Sequence, residues 1–317
     1  MTEHLAPIFY FAQVHLLSAS LVFGAGWALA ALPLGNPGVK YWIWVTASLN
    51  FMLPVGGLID GFGALDFAGA EPLIFVNDLS IRLARASTAC SLLLVIWAIG
   101  AVVMFARFAM RAWAEHRRGA PVRSCVHQTY PLRKAQMSGV PVSLVQGESS
   151  PAVVGLLRPH IVLPSGIDRL LTDRELTAVL IHEVTHAERR DNLIRLFHEL
   201  AVCVLWFHPF LWVATRRLSL YRELSCDDQV IRKGYGRDLV GAFGKLTDPE
   251  REPLLRSSGS SFIGQRLARL TESRSAPPAG WTSRLPGALF AAALIGGVAI
   301  TVLHTACCMV IGKSAAL

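Results

Sequence analysis

The residues best suited to chemistry form one string of five. It reads His182-Glu183-Val184-Thr185-His186, with two histidines four residues apart. On a helix this spacing places both imidazoles on one face, where they can bind a single metal ion. Glu183 follows the first histidine and can take a proton from a water bound to that metal. This HExxH pattern is typical of zinc peptidases.

The same string arises by chance in roughly one sequence per hundred of this composition. The alternative interpretation is therefore two solvated histidines on a surface helix. Two features of the context favour a metal site. Thr172 and Glu175 form a capping box that starts a helix just before the string, and a second acidic cluster follows at suitable range. We predict one zinc ion per chain.

The third zinc ligand is predicted in the segment YRELSCD, residues 221–227. A catalytic zinc has three protein ligands and one open position. Glu223 lies 37 residues after His186 (223 minus 186), on a predicted helix of about residues 209–231 that can return to the histidines. The alternative role of Glu223 is a surface ion pair with a neighbouring arginine. Asp227, one turn further on, is predicted to accept a hydrogen bond from a ligating histidine.

Other polar residues near the string are interpreted structurally. Cys226 is a zinc ligand type, but a free cysteine in a helix more often packs as a small apolar residue. His198 and Glu199 begin a string without the second histidine, and Asp191 is predicted to pair with Arg189 or Arg190. The six cysteines form no CxxC pair, which argues against a disulfide framework and against a cysteine-based zinc site.

The composition is that of a membrane protein. Hydrophobic residues make up 53% of the 317 residues and charged residues only 16%, whereas soluble domains average about 25% charged residues. The apolar runs long enough to cross a bilayer are 8–32, 41–59, 87–106 and 285–311. Arginines follow the third run at once, so its end is predicted to face the cytoplasm. The N-terminus, the loop 60–86 and the C-terminal tail are then predicted outside, in a multi-pass inner-membrane protein.

These runs divide the chain into four parts. We predict a membrane domain with three transmembrane helices (1–111), a cytoplasmic zinc-peptidase domain (112–246), a linker with a short amphipathic helix (247–284), and a last transmembrane helix with a short tail (285–317). Residues 193–215 are also long enough to cross. Because they contain charges and a His-Pro break, two helices that lie on or re-enter the membrane are favoured over a fifth span.

The predicted fold is mainly α, with four transmembrane helices, or five if residues 193–215 cross. The inserted α+β domain combines the HExxH helix with a short antiparallel sheet over residues 140–164. The net charge of +8 comes from basic residues that lie mainly beyond the apolar runs. They are not gathered in a stripe with aromatic partners, so we predict contact with membrane lipid and no direct contact with nucleic acid.

Four segments, in this order, resemble the BlaR/MecR antirepressor family of membrane zinc peptidases. They are SPAVVGLLRPHIVLP (150–164), ELTAVLIHEVTHAERRDNL (175–193), WFHPFLW (206–212) and RELSCDDQV (222–230). The resemblance implies that His182, His186 and Glu223 bind zinc and that Glu183 is the general base. It also implies a cytoplasmic peptidase that cleaves itself or a DNA-binding repressor when an outward signal arrives. The substrate would add as a strand beside the strand that ends near Gly155.

Sensor-bearing members of that family carry a penicillin-binding domain after the last span. About six residues follow the last apolar run here, so we expect this chain to lack that domain. Two other functions stay open. One is a housekeeping membrane-protein quality-control metallopeptidase, whose ExxxD pattern would run from Glu223 to Asp227. The other is a non-catalytic membrane signalling scaffold with an incidental HExxH. The sequence does not predict an oligomeric state.

Overall fold

The computed structural model describes residues 5–33, 36–52, 87–118, 139–145, 150–246 and 262–271. Within these ranges the protein is mostly helical with one small sheet, as predicted. The helices are α1 (Leu5–Ala31), α2 (Pro37–Leu49), α3 (Ser87–Arg118), α4 (Ile167–Leu170), α5 (Asp173–Arg189), α6 (Asp191–Val204), α7 (Pro209–Arg232), α8 (Gly236–Leu246) and α9 (262–271). The strands are β1 (Val142–Val145), β2 (Ala152–Val154) and β3 (His160–Pro164).

One helical stretch in the described ranges, Ser91–Ala114 within α3, is long and apolar enough to cross a membrane. Its side chains point outwards, and Ile99 and Val102 are 59% and 67% exposed. α1 contains a shorter apolar stretch, Ala19–Ala31. The remainder of the second predicted span, the loop 60–86 and the last predicted span at 285–311 lie outside the described residues. Four spans therefore stay a prediction.

Helices α1 and α2 share an apolar core with α6 and α7. The ring of Phe23 stacks on Phe210 at 4.9 Å between centroids and meets Trp44 edge-on at 5.4 Å. Trp44 is 2% exposed and Leu211 is fully buried. The helices that follow the HExxH string are thus packed against the N-terminal helices of the chain.

The sheet has the order β1-β3-β2. β2 pairs antiparallel with β3, whereas β1 pairs parallel with it, so the prediction of an antiparallel sheet is wrong for β1. β3 takes the centre because Ile161, Val162 and Leu163 are all nearly fully buried. β1 and β2 flank β3 and run in opposite directions, so only one of them can be antiparallel to it. The turn between β2 and β3 uses Gly155 at φ 90°, a conformation that favours glycine.

The HExxH helix, α5, begins and ends with defined caps. The Thr172 N–H donates to Oε2 of Glu175 at 2.8 Å, and the Glu175 N–H donates to Oγ1 of Thr172 at 3.3 Å. The predicted capping box is therefore confirmed. The helix ends at Arg190, which adopts the left-handed conformation at φ 56°. This residue turns the chain so sharply that α6 starts at Asp191.

Residues 193–215 do not form one continuous helix. α6 ends at Val204, a turn follows, and α7 begins with Pro209 in its first position. Proline is tolerated there because the first helical N–H has no partner within the helix. The predicted division into two helices is confirmed.

Candidate metal centre

The three predicted ligands converge between α5 and α7. The Nε2 atoms of His182 and His186 lie 3.1 Å apart. Oε2 of Glu223 lies 3.3 Å from Nε2 of His182 and 3.8 Å from Nε2 of His186. His182 is 6% exposed, and the other two side chains are largely buried. These atoms form one of two groups of side chains in the described ranges that could hold a metal ion.

The spacing of the three atoms fits zinc. Zinc binds histidine nitrogen and carboxylate oxygen at ~2.0–2.2 Å, and tetrahedral angles then place neighbouring ligand atoms ~3.3–3.5 Å apart. The observed distances of 3.1, 3.3 and 3.8 Å bracket this value. Two imidazoles and one carboxylate are also the donor set of a common class of catalytic zinc site, in which the fourth position stays open.

His182 is supported on its other ring nitrogen by Asp227. Nδ1 of His182 lies 3.1 Å from Oδ1 of Asp227, at an angle that departs from an ideal hydrogen bond. Asp227 is fully buried. It accepts two hydrogen bonds from Arg266 of α9, one from Nε and one from Nη2, each at 2.8 Å. Nη1 of the same guanidinium lies 3.3 Å from Oε2 of Glu223, so Arg266 contacts both carboxylates.

His186 has an equivalent arrangement. Its Nδ1 lies 2.6 Å from Oδ2 of Asp191. Arg189 donates to both oxygens of Asp191 from Nε and Nη2, each at 2.6 Å. The hydroxyl of Tyr41, on α2, donates to Oδ1 of Asp191 at 2.9 Å. Asp191 therefore pairs with Arg189 as predicted, and it also holds the second histidine.

The carboxylates dominate the electrostatics of the centre. Burial opposes protonation of His182, but its contacts with Asp227 and Glu223 outweigh burial and raise its pKa to about 9. Burial likewise opposes the charged form of Asp191, yet His186 and Arg189 lower its pKa to about 2. Burial also acts against the charge on Glu223, but the two imidazoles hold its pKa well below the ordinary value. The lowered pKa values keep Asp191 and Glu223 ionised at neutral pH, and the ionised carboxylate is the form that binds a metal.

The second possible metal group contains His186, Asp191 and Cys226. It does not form an independent site. Sγ of Cys226 lies 3.5 Å from Nδ1 of His186, the same nitrogen that contacts Asp191. The guanidinium of Arg189 already pairs with Asp191 and lies 3.2 Å from the Cys226 sulfur through Nη2. A fixed cation therefore occupies the position where a second metal ion would be attracted.

The remaining predicted residues lie near the centre or apart from it. Glu183 is half-buried and directly follows His182 on α5. His198 is buried away from the ligands, where it contacts Ser48 through Nδ1 and Thr215 through Nε2. It joins α2, α6 and α7, in agreement with its interpretation as a structural residue.

Sequence reasoning missed three residues that support the centre. Asp191 was assigned only to an arginine pair, because the reversal at Arg190 that returns it to His186 has no periodic signal. Arg266 lies 39 residues after Asp227 (266 minus 227), and the only sequence signal near it is the short amphipathic helix predicted within the linker 247–284. Tyr41 stands in an aromatic cluster with Trp42 and Trp44 at the start of an apolar run, and nothing in the sequence links it to Asp191.

A sequence model described as BlaR1 peptidase M56 matches residues 70–267. This range covers 198 residues (267 minus 70 plus 1), more than half of the chain. The chain belongs to the BlaR1 peptidase M56 family. The predicted resemblance is thus confirmed, and the matched range includes the three converging ligands, both supporting aspartates and Arg266.

Two relatives give the extent of the similarity within the family. The chain is 39% identical over 83 residues to the regulatory protein BlaR1 of Bacillus licheniformis, which covers 26% of this chain and 14% of that protein. It is 25% identical over 93 residues to the methicillin resistance mecR1 protein of Staphylococcus aureus, which covers 29% of this chain and 16% of that protein. The alignments thus span less than a fifth of each relative.

Proposed function

We propose that this protein is a membrane-anchored zinc metalloendopeptidase whose active site faces the cytoplasm. The observation that carries the proposal is the convergence of two imidazole nitrogens and one carboxylate oxygen at 3.1–3.8 Å. Membership of a peptidase family supports a hydrolytic role over an incidental HExxH string.

In the proposed mechanism, His182, His186 and Glu223 would hold one zinc ion, which would lower the pKa of a bound water and polarise the peptide carbonyl. Glu183 accepts a proton from the attacking water and later delivers it to the leaving amine. Asp227 and Asp191 contact the Nδ1 atoms of the two histidines. They thereby keep the Nε2 atoms directed at the metal position.

The edge of β2 that no other described strand covers, called the open edge here, is the proposed docking site for a substrate strand. The Ile161 N–H donates to the Pro141 carbonyl at 2.8 Å, on the β1 side of β3. Ile161 is the partner of Val153 in the β2–β3 register. The backbone N–H and C=O of Ile161 point toward β1 and not toward β2. Ile161 and Val153 therefore form a non-hydrogen-bonded pair, and the N–H and C=O of Val153 point away from β3, toward the open edge. A peptide can pair with these groups by β-augmentation.

The open edge lies close to the metal centre. The side-chain amide of Asn192 donates to the Val153 carbonyl at 2.9 Å and to the Gly155 carbonyl at 3.2 Å. Asn192 directly follows Asp191, which contacts the ligand His186. A strand added to β2 would therefore pass beside the histidines, and its N–H groups would share these carbonyls with Asn192 or displace it.

The proposed biological role is regulatory proteolysis. One relative is named a regulatory protein and another a methicillin resistance protein. By extension we propose that this chain cleaves itself, a cytoplasmic DNA-binding repressor, or both. A comparison of cells with wild-type protein and cells with Glu183→Gln tests this role. A new protein terminus in this chain or in a transcription factor supports it, whereas cleavage confined to misfolded membrane proteins would favour the housekeeping role.

Zinc content and proteolysis of the purified full-length protein test the chemistry. We expect about one zinc per chain in the wild type, retained in Glu183→Gln with cleavage abolished, because a glutamine cannot accept the proton. His186→Ala should lose both zinc and cleavage, since two ligands hold the ion weakly. His160→Ala, which removes a histidine outside the metal group, is the control and should keep both. A wild-type protein without zinc at neutral pH would contradict the proposal.

A further inference from the structure

The turn between α6 and α7, residues 205–208, contacts α3, α1 and the segment that follows α2. On α3, the indole N–H of Trp97 donates to the Val204 carbonyl at 2.9 Å. The Trp206 ring lies against Gly100 so closely that a Cβ there would be 2.2 Å from it. On α1, Oγ of Ser20 lies 3.1 Å from Nε2 of His208.

These contacts place the turn near the middle of the candidate span. Gly100 lies nine residues after Ser91 and fourteen before Ala114, the ends of the apolar stretch, which corresponds to ~14 Å and ~21 Å at 1.5 Å per residue. α6 contains 14 residues between the metal centre and the turn. It is therefore ~21 Å long, against ~30 Å for the hydrocarbon core of a bilayer.

The contacts of α2 and of the segment that follows it indicate the same depth of the turn in the bilayer. The hydroxyl of Tyr41 contacts Asp191 beside the metal centre. Ten residues further along the chain, the ring of Phe51 packs on His208 at 4.7 Å between centroids. α2 and the two residues that follow its end at Leu49 thus run beside α6 from the metal centre to the turn.

Several backbone groups of the turn are paired with protein groups. In addition to the bond from Trp97, the Trp212 indole donates to the Trp206 carbonyl at 2.8 Å, and the Leu205 N–H donates to the Ala201 carbonyl at 2.8 Å. Irregular backbone at membrane depth needs such partners, because no water is available there.

The outer face of the two helices is apolar. Phe197, Val204, Phe207 and Trp212 are 38–48% exposed and continue the exposed apolar surface of α3. The charged pair nearby, Arg195 with Glu199 at 2.9 Å, lies toward the metal-centre end of α6. We propose that α6 and α7 form a re-entrant hairpin that enters the bilayer from the metal-centre side, reaches about its middle, and exposes these four side chains to lipid acyl chains. This inference rests on the proposed membrane anchoring.

Photocrosslinking to lipid tests the hairpin. p-Benzoylphenylalanine is placed singly at three exposed positions of the full-length protein, which is reconstituted in vesicles of phosphatidylethanolamine and phosphatidylglycerol. The positions are Phe207 in the turn, Ile99 on α3 as the lipid control, and Leu157 beside the sheet as the water control. After irradiation, mass spectrometry identifies the lipid adducts. We expect acyl-chain adducts at 207 and 99 in similar yield and none at 157.

Two results would overturn the inference in different ways. In the first, acyl-chain adducts form at Ile99 but not at Phe207, where only headgroup adducts or no adducts are found. This result would exclude the turn from the acyl-chain region while leaving the membrane anchoring intact. No adduct at 99 would remove the membrane placement itself, and with it the hairpin. Neither outcome changes the zinc content on which the proposed chemistry depends.

Discussion

Replacement of Arg266 by glutamine should weaken zinc binding although no ligand is altered. The guanidinium holds both oxygens of Asp227 at 2.8 Å and lies 3.3 Å from the ligand Glu223. It also covers the ring of Phe243 at 4.6 Å. A glutamine cannot bridge the two carboxylates. The positions of His182, which rests on Asp227, and of Glu223 would then be less well defined.

The size of the effect depends on two opposing terms. Residues that orient metal ligands typically change metal affinity by about 10–100-fold when mutated, which corresponds to about 1.4–2.7 kcal/mol. Removal of a positive charge beside the site acts in the other direction and favours a cation. The guanidinium is already paired with the fully buried Asp227, so most of its charge is neutralised. We therefore expect the loss of orientation to dominate and zinc affinity to fall about tenfold or more.

The assay is competition for zinc between the purified full-length protein and a fluorescent chelator. Arg269→Gln is the matched control. Arg269 lies on the same helix and pairs with the fully buried Asp228 at 2.7 Å, but Asp228 is not among the metal-ligand contacts. Replacement of Arg269 should lower the stability of the fold without a comparable change in zinc affinity. Arg266→Lys retains the charge but not the two-point contact, and it should also bind zinc more weakly than the wild type.

Unchanged or tighter zinc binding in Arg266→Gln would refute the positioning role, since the charge term alone would then decide the affinity. An equal loss of affinity in Arg269→Gln would also refute it, because general docking of α9 would explain both variants.

Three further changes probe other parts of the structure. Thr172→Ala removes the side chain that caps α5 and should cost about 1 kcal/mol of folding free energy, seen as a lower midpoint of thermal unfolding; Thr177→Ala, a half-buried position within the same helix, is its control. Val153→Pro removes an outward N–H from β2 and should raise KM about two- to tenfold at unchanged zinc content; Val153→Thr keeps the N–H and should not, and equal KM values would exclude pairing there. Tyr41→Phe removes one of several partners of Asp191, so zinc affinity should fall by less than in Arg266→Gln; a larger loss would contradict this ranking.

Local patterns predicted the parts of the centre that depend on helical periodicity. The four-residue spacing of His182 and His186 fixes their common face, and the capping box at Thr172 fixes where their helix begins. In these two cases the physical cause acts within a few turns of one helix, so the sequence contains it. The prediction of Glu223 as the third ligand joins two helices, and it depends on the need of zinc for a third ligand and on the resemblance to the BlaR/MecR family.

Long-range and irregular features were not predictable in the same way. The direction of β1 depends on which strand takes the centre of the sheet, and that is decided by burial against α5. The return of Asp191 to His186 depends on a single left-handed residue, Arg190, of a type that rarely adopts that conformation. The pairing of Arg266 with Asp227 joins two helices across 39 positions, and no local pattern specifies such a partner.

The two histidines are supported in the same manner but from different parts of the chain. Each rests on a buried aspartate, and each aspartate is held at both oxygens by an arginine. The support of His186 extends through Asp191 to Tyr41 on α2, while that of His182 extends through Asp227 to Arg266 on α9. α5 alone supplies the imidazoles but does not fix their orientation. The geometry of the candidate metal centre therefore depends on how α2 and α9 dock, and α2 packs in the same core as α1. A shift of α2 or α9 must change the contacts of Asp191 with His186 or of Asp227 with His182, so the docking of these two helices is physically coupled to the proposed zinc site.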